Sequence, residues 1–126
     1  GWQGHLMNNH GLKQFVENLD EEIKKLSDLI DWAHSNNLEF HITELDYYND
    51  GENNILNSVE KQAEVYQKLM NLLQEKSKNG LVTANFWSMG ERKSARGKKG
   101  HYMSIYDNDT IPTKTYEVVK NFINFD

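Results

Sequence analysis

Cysteine is absent from this chain. Disulfides and thiolate metal sites are therefore excluded, and the redox compartment stays open, because a cysteine-free protein suits either side of a membrane. No apolar run approaches the ~20 residues that a membrane span needs, so no membrane partner is expected. No basic-then-apolar segment opens the sequence, so no signal peptide is visible within it. Basic residues are the minority: 14 Lys and Arg against 19 Asp and Glu leave a net charge of −5. That balance argues against a nucleic-acid partner. Repeats and low-complexity tracts are missing as well. His10, His34 and His101 are too scattered for a metal site, and the acids lack the spacing of a calcium loop.

What is present suits one domain: 126 residues, 37% of them apolar and 26% charged, enough for a real core but little more. The periodicity predicts a helix over Asp20 to Ser35, with Ile23, Leu26, Ile30 and Ala33 at three- and four-residue steps. Asn18 or Asp20 can cap it, and Asn36-Asn37 ends it. Leu38 to Asp46 reads as a strand, and the polar run from Asn49 to Asn54 as a loop. A second helix is expected over Ser58 to Lys76, capped by Asn57 or Ser58, with Val59, Ala63, Tyr66, Met70 and Leu73 as its buried stripe. Asn79-Gly80 stops it. Leu81 to Trp87 is nearly all apolar, like a parallel strand buried on both faces. Met103 to Tyr106 suits a short extended piece, Asp107 to Asp109 a turn, and Pro112 opens a last helix with Tyr116, Val119, Phe122 and Ile123 inward.

Strands alternating with helices imply parallel βαβ units. Three such strands leave open edges and a thinly covered core, so the chain is expected to be part of something larger or to associate.

The stretch from His41 to Asp46 carries the chemistry. Phe40 and Ile42 alternate at strand spacing, and strict alternation places Glu44 and Asp46 on their face at the strand's end. His41 then falls on the opposite face, toward the helices, as a buried structural histidine. Acids at the carboxyl end of a parallel strand sit where α/β enzymes keep their active sites. Two more segments end strands in the same way: Trp2-Gln3-Gly4-His5-Leu6 and Asn85-Phe86-Trp87-Ser88. Trp2 suits core or rim equally. Arg92, Lys93, Arg96, Lys98 and Lys99 make the single positive cluster. It reads as a solvated loop, or more sharply as a contact for acidic groups of a ligand.

In this order the three segments resemble the last three strands of family-10 glycoside hydrolases, the endo-β-1,4-xylanases. Tyr106-Asp107 and Pro112 to Tyr116 are similar to the region before that family's last helix. The resemblance spans nearly the whole chain. It implies an α/β fold, the carboxyl-terminal part of a TIM (β/α)8 barrel with strands six to eight and their helices, and residues 1–126 as a partial catalytic domain. It implies hydrolysis of internal β-1,4-xylosidic bonds with retention, with Glu44 as nucleophile. His5 would bond Glu44, and Asp46 would hold the imidazole from its other side. Gln3, Trp87 and Arg96 would contact substrate. Xylan or a xylo-oligosaccharide is the implied ligand, no cofactor is implied, and the location is extracellular or at the cell surface. The family's acid/base glutamate lies in a fourth-strand motif that this sequence lacks, and Ala95 stands where the family has a second tryptophan. The chain alone is therefore expected to be inactive or weakly active until completed by an amino-terminal barrel half or by self-association. The alternative is a carbohydrate-binding or barrel-assembly fragment without turnover.

Overall fold

The computed structural model describes residues 1–6, 13–47, 58–87, 105–106 and 111–123. The expected loop at 49–54, the turn at 107–109, Met103, Asn57, His10 and His101 lie outside them. The elements run β1 (Trp2–Leu6), α1 (Lys13–Glu17), α2 (Leu19–Ser35), β2 (Phe40–Tyr47), α3 (Val59–Lys76), β3 (Val82–Phe86) and α4 (Lys114–Ile123). The strands form one parallel sheet in the order β1-β2-β3, as alternation of strands and helices requires.

Local signals explain the boundaries. The Ser58 hydroxyl accepts from the Lys61 amide at 3.0 Å and caps α3. Asn18 occupies the cap position of α2, but its side chain makes no capping bond. That helix ends at Asn36, and Asn37 takes a left-handed φ of 57°, a conformation asparagine tolerates better than most residues. Pro112 does not open α4. It pairs with Tyr106 in an antiparallel bridge, and the helix starts two residues later. The short α1 has no counterpart in the sequence reading, yet it buries Phe15 and Val16.

The core lies between one face of the sheet and the helices. Leu6, Ile30, Ile42, Leu45, Tyr47, Val65 and Leu69 have no exposed surface. Trp2 joins this side, its ring tilted against Phe15 at 5.7 Å. Gly4 makes room for it: a Cβ there would stand 3.1 Å from the Trp2 ring and 3.2 Å from Leu45.

Three expectations about packing are corrected. Of the stripe expected on α3, Tyr66, Met70 and Leu73 are buried, but Val59 and Ala63 are only half-buried. The buried face runs through Gln62, Val65, Tyr66, Leu69, Met70, Leu72, Leu73 and Lys76, because the helix is covered by the sheet and by two flanking helices rather than from one direction. Strand β3 is not buried on both faces; it forms the sheet edge, and Leu81 and Trp87 beside it are more than half exposed. Ile123 does not turn inward either: it is 63% exposed, at the rim of an apolar groove of about 250 Å³ between α3, β3 and α4.

Ion pairs tie the helices together. Lys68 of α3 bonds Asp20 of α2, Lys76 bonds Asp31 at 2.6 Å, and Lys114 of α4 bonds Glu60 of α3 at 2.5 Å. Hydrogen bonds from Lys68 and Lys114 hold the carboxyls of Asp20 and Glu60 below their ordinary pKa range. A carboxyl with a depressed pKa in the folded state stabilises above its unfolded pKa, and that contribution is lost as pH falls through the folded value. The pairs are exposed, so the effect is small. Melting temperatures at pH 7 and pH 3 should fall more on acidification for the natural chain than for a Lys68→Met, Lys114→Met double variant. An equal fall in both would show that these pairs contribute nothing.

Candidate active site

One residue in β2 sets the geometry. Trp2 pairs with Ile42, but the next residue of β1, Gln3, pairs with Glu44. On the other side, Ala84 to Phe86 is two steps along β3 while the paired stretch of β2, Ile42 to Leu45, is three. A β-bulge therefore lies between Ile42 and Leu45, and it shifts the side-chain phase. Paired residues of a parallel sheet share a face. Ile42 and Leu45 thus lie on the helix side with Trp2, Gly4, Ala84 and Phe86, while Glu44 and Asp46 share the other face with Gln3 and His5.

This corrects the strict-alternation reading in two places. Glu44 and Asp46 are not on the face of Phe40 and Ile42. His41 is not turned toward the helices: it pairs with Thr83 on the face of Glu44, and its side chain is 37% exposed. Its ring nitrogens lie 2.8 Å from Thr83 Oγ1 and 3.0 Å from Glu39 Oε2.

On the polar face the side chains converge. Gln3 Nε2 donates to Glu44 Oε1 at 2.8 Å. His5 Nε2 lies 2.9 Å from Glu44 Oε2, and His5 Nδ1 lies 2.9 Å from Asp46 Oδ1. Each oxygen of Glu44 thus has its own partner, and the imidazole is held from both sides. Side-chain exposure falls along the series, from 22% at Glu44 through 14% at His5 to 0% at Asp46. Behind the cluster, Tyr66 of α3 is buried and stacks on Phe86 with ring centroids 6.1 Å apart. Burial pushes its hydroxyl well above the ordinary tyrosine pKa, and the charge of Asp46 adds to the shift.

Trp87 closes one side. Its amide donates to the Leu45 carbonyl at 3.0 Å. Its ring meets His5 edge-on, with centroids 6.3 Å apart and planes at 81°. More than half of Trp87 stays exposed, so it offers an open aromatic face beside Glu44 and His5. Arg96, with the rest of the positive cluster and Ser88, lies outside the described residues. Among the described residues no group of histidines and acids is arranged to hold a metal ion, and no helix is long and apolar enough to cross a membrane.

Sequence reading missed the Gln3–Glu44 bond. The cross-strand register that creates it depends on the bulge, which leaves no mark in alternation.

The cluster can do specific chemistry. A carboxyl with a partner on each oxygen is held in orientation, and it faces solvent at the carboxyl end of a parallel sheet. An aromatic face beside it suits a sugar ring.

Comparison with solved structures gives one consistent set of relatives. Xylanase 10B from Thermotoga maritima is 23% identical with a TM-score of 0.60, covering 97% of this chain and 35% of that one. A psychrophilic family-10 endo-β-1,4-xylanase is 25% identical with a TM-score of 0.61, covering 82% and 31%. A variant of the intracellular xylanase from Thermoanaerobacterium saccharolyticum, in complex with xylotetraose, is 21% identical with a TM-score of 0.60, covering 93% and 32%. This chain therefore spans about a third of the length of the xylanases it matches. No curated protein matches it. The glycosyl hydrolase family 10 model matches residues 1–122, a stretch that holds the whole polar cluster and every described element but for Ile123, the last residue of α4. With the α/β fold of a partial barrel, that match places this chain in glycosyl hydrolase family 10.

Proposed function

We propose that this chain carries the nucleophile side of a retaining endo-1,4-β-xylanase site, built on barrel strands six to eight, with Glu44 as the attacking carboxylate. The observation that carries the reading is the clamp on Glu44, with Gln3 on one oxygen and His5 on the other. A nucleophilic carboxylate must be aimed, and a separate partner on each oxygen fixes its direction. An ionised Glu44 makes His5 Nε2 the donor of their hydrogen bond. Asp46 then fixes the ring from the Nδ1 side.

In the first step an oxygen of Glu44 bonds to the anomeric carbon. The glycosidic C–O bond breaks, and the leaving oxygen takes a proton from an acid. Water then hydrolyses the glycosyl ester and frees Glu44. Retention needs a second carboxyl about 5–5.5 Å from the nucleophile. Asp46 does not fill that role: it is buried and committed to His5. The acid/base therefore comes from outside this cluster, in keeping with the missing fourth-strand motif. Gln3 and Trp87 face the sugar, and Arg96 is a further contact in this reading.

The ligand is xylan or a xylo-oligosaccharide, in line with the similar xylanase solved with xylotetraose. Polymeric xylan goes with an extracellular or cell-surface location. Turnover at useful rates needs the amino-terminal barrel half or self-association, because general-acid help contributes about 10²–10⁴-fold.

The test is intact-mass spectrometry after incubation with a 2-fluoro xylobioside bearing an activated leaving group, followed by peptide mapping. Such a leaving group departs with little acid help, so the absent acid matters least. One glycosyl adduct on Glu44 is expected. A folded chain that binds xylo-oligosaccharide and forms no adduct would shift the reading to the binding or assembly fragment.

A further inference from the structure

Strand β2 has one residue too many for either neighbour, and both registers place it between Ile42 and Leu45. Without it, alternation would put Glu44 on the face of Ile42, inside the core. The residue skipped in the pairing with β1 is Thr43. It is exposed, and its hydroxyl donates across the strands to the Trp2 carbonyl at 3.3 Å, where the ladder skips. Its methyl lies against Gly1, where an added Cβ would stand 3.0 Å away. A bulge leaves the ladder locally disrupted, so a side-chain bond to the neighbouring strand can decide where the extra residue settles. The β-branch limits the side chain's χ1 rotamers, and the hydroxyl supplies the tether.

We propose that Thr43 is a positioning residue: its hydroxyl pins the bulge to β1 and thereby aims Glu44 at His5. The inference takes its catalytic meaning from the reading of Glu44 as nucleophile, but its geometry can be tested separately. The readout is the pair of ¹⁵N shifts of the His5 ring in the folded chain, with Glu44→Gln as the reference for a lost carboxylate partner. Thr43→Val, which keeps shape and removes the hydroxyl, should move the Nε2 shift toward that reference. Thr43→Ser, which keeps the hydroxyl, should leave it near the natural value. Far-UV circular dichroism establishes that each variant is folded.

In parallel, Thr43→Val should slow covalent labelling by about 10²-fold through misplacement of the attacking atom, with little change in the reagent concentration needed for half-maximal rate. Unchanged ring shifts in folded Thr43→Val overturn the proposal. So does a Thr43→Ser variant that shifts as far as Thr43→Val. Absence of labelling in the natural chain counts against the nucleophile reading alone, because the ring shifts still decide the role of Thr43.

Discussion

Glutamine in place of Glu44 should reduce covalent labelling by more than about 10³-fold, the scale of losing a nucleophile outright. The change is nearly isosteric, but an amide cannot form the glycosyl ester. It should also reshape the clamp. Glu44 accepts from Gln3 on one oxygen and meets His5 on the other. An amide offers one acceptor and one donor. Whichever way it flips, its NH2 faces either the Gln3 amide nitrogen or His5 Nε2. The imidazole can answer by presenting an unprotonated Nε2, with its proton on Nδ1 toward Asp46. Gln3 can turn its exposed amide to present Oε1, so both bonds can be remade, but as neutral bonds weaker than those to a carboxylate. A modest loss of stability, about 1–2 kcal/mol, is therefore expected with the loss of chemistry. Labelling rates and urea unfolding of the same two proteins measure both. Labelling of Glu44→Gln at the natural rate would remove Glu44 from the reaction.

The largest stability effect should come from Tyr66→Ala, at about 3–5 kcal/mol. Tyr66 is 1% exposed and stacks on Phe86 with ring planes only 11° apart. Phe86 in turn pairs with Leu45, next to the bulge. The ring thus connects α3 to both the edge strand and the strand carrying Glu44. Truncation leaves a cavity between α3 and the sheet, and β3, held by one neighbouring strand only, loses part of its anchorage. Total stabilities of domains this size are about 5–15 kcal/mol, so a loss on this scale can unfold the chain. Tyr66→Phe keeps the ring and should cost much less. Urea midpoints of the two variants check the ordering, and equal midpoints would mean that the hydroxyl, not the ring, holds this region.

Much of the fold is legible in the sequence because helix periodicity and strand composition are local signals. The stretches that became α2, α3, β2 and β3 are found within a few residues of their ends, and parallel pairing follows from their order. The errors have non-local causes. The stripe of α3 was read as one-sided, but that helix meets neighbours on several sides. The apolar composition of β3 suggested burial on both faces, whereas burial depends on what lies beyond the strand. Residues Lys13 to Glu17 are too few for periodicity to emerge, so α1 passed unnoticed. Glu44, His5 and Asp46 were legible as a set through the family resemblance. The face on which Glu44 and His41 lie was not, because one extra residue in β2 reverses the phase without changing the composition.

The gradient in exposure from Glu44 to Asp46 has a consequence for ionic strength. Dissolved ions screen fields that pass through water and act weakly on those that pass through protein. The Asp46–His5 contact is sealed at its inner end, where the carboxylate side chain has no exposed surface. Added salt therefore leaves the orientation of the imidazole nearly untouched. It acts instead on Glu44, which is open to solvent at its outer end. The site is thus tuned from within and sensed from without, and buffers of quite different salinity meet the same prearranged pair of groups.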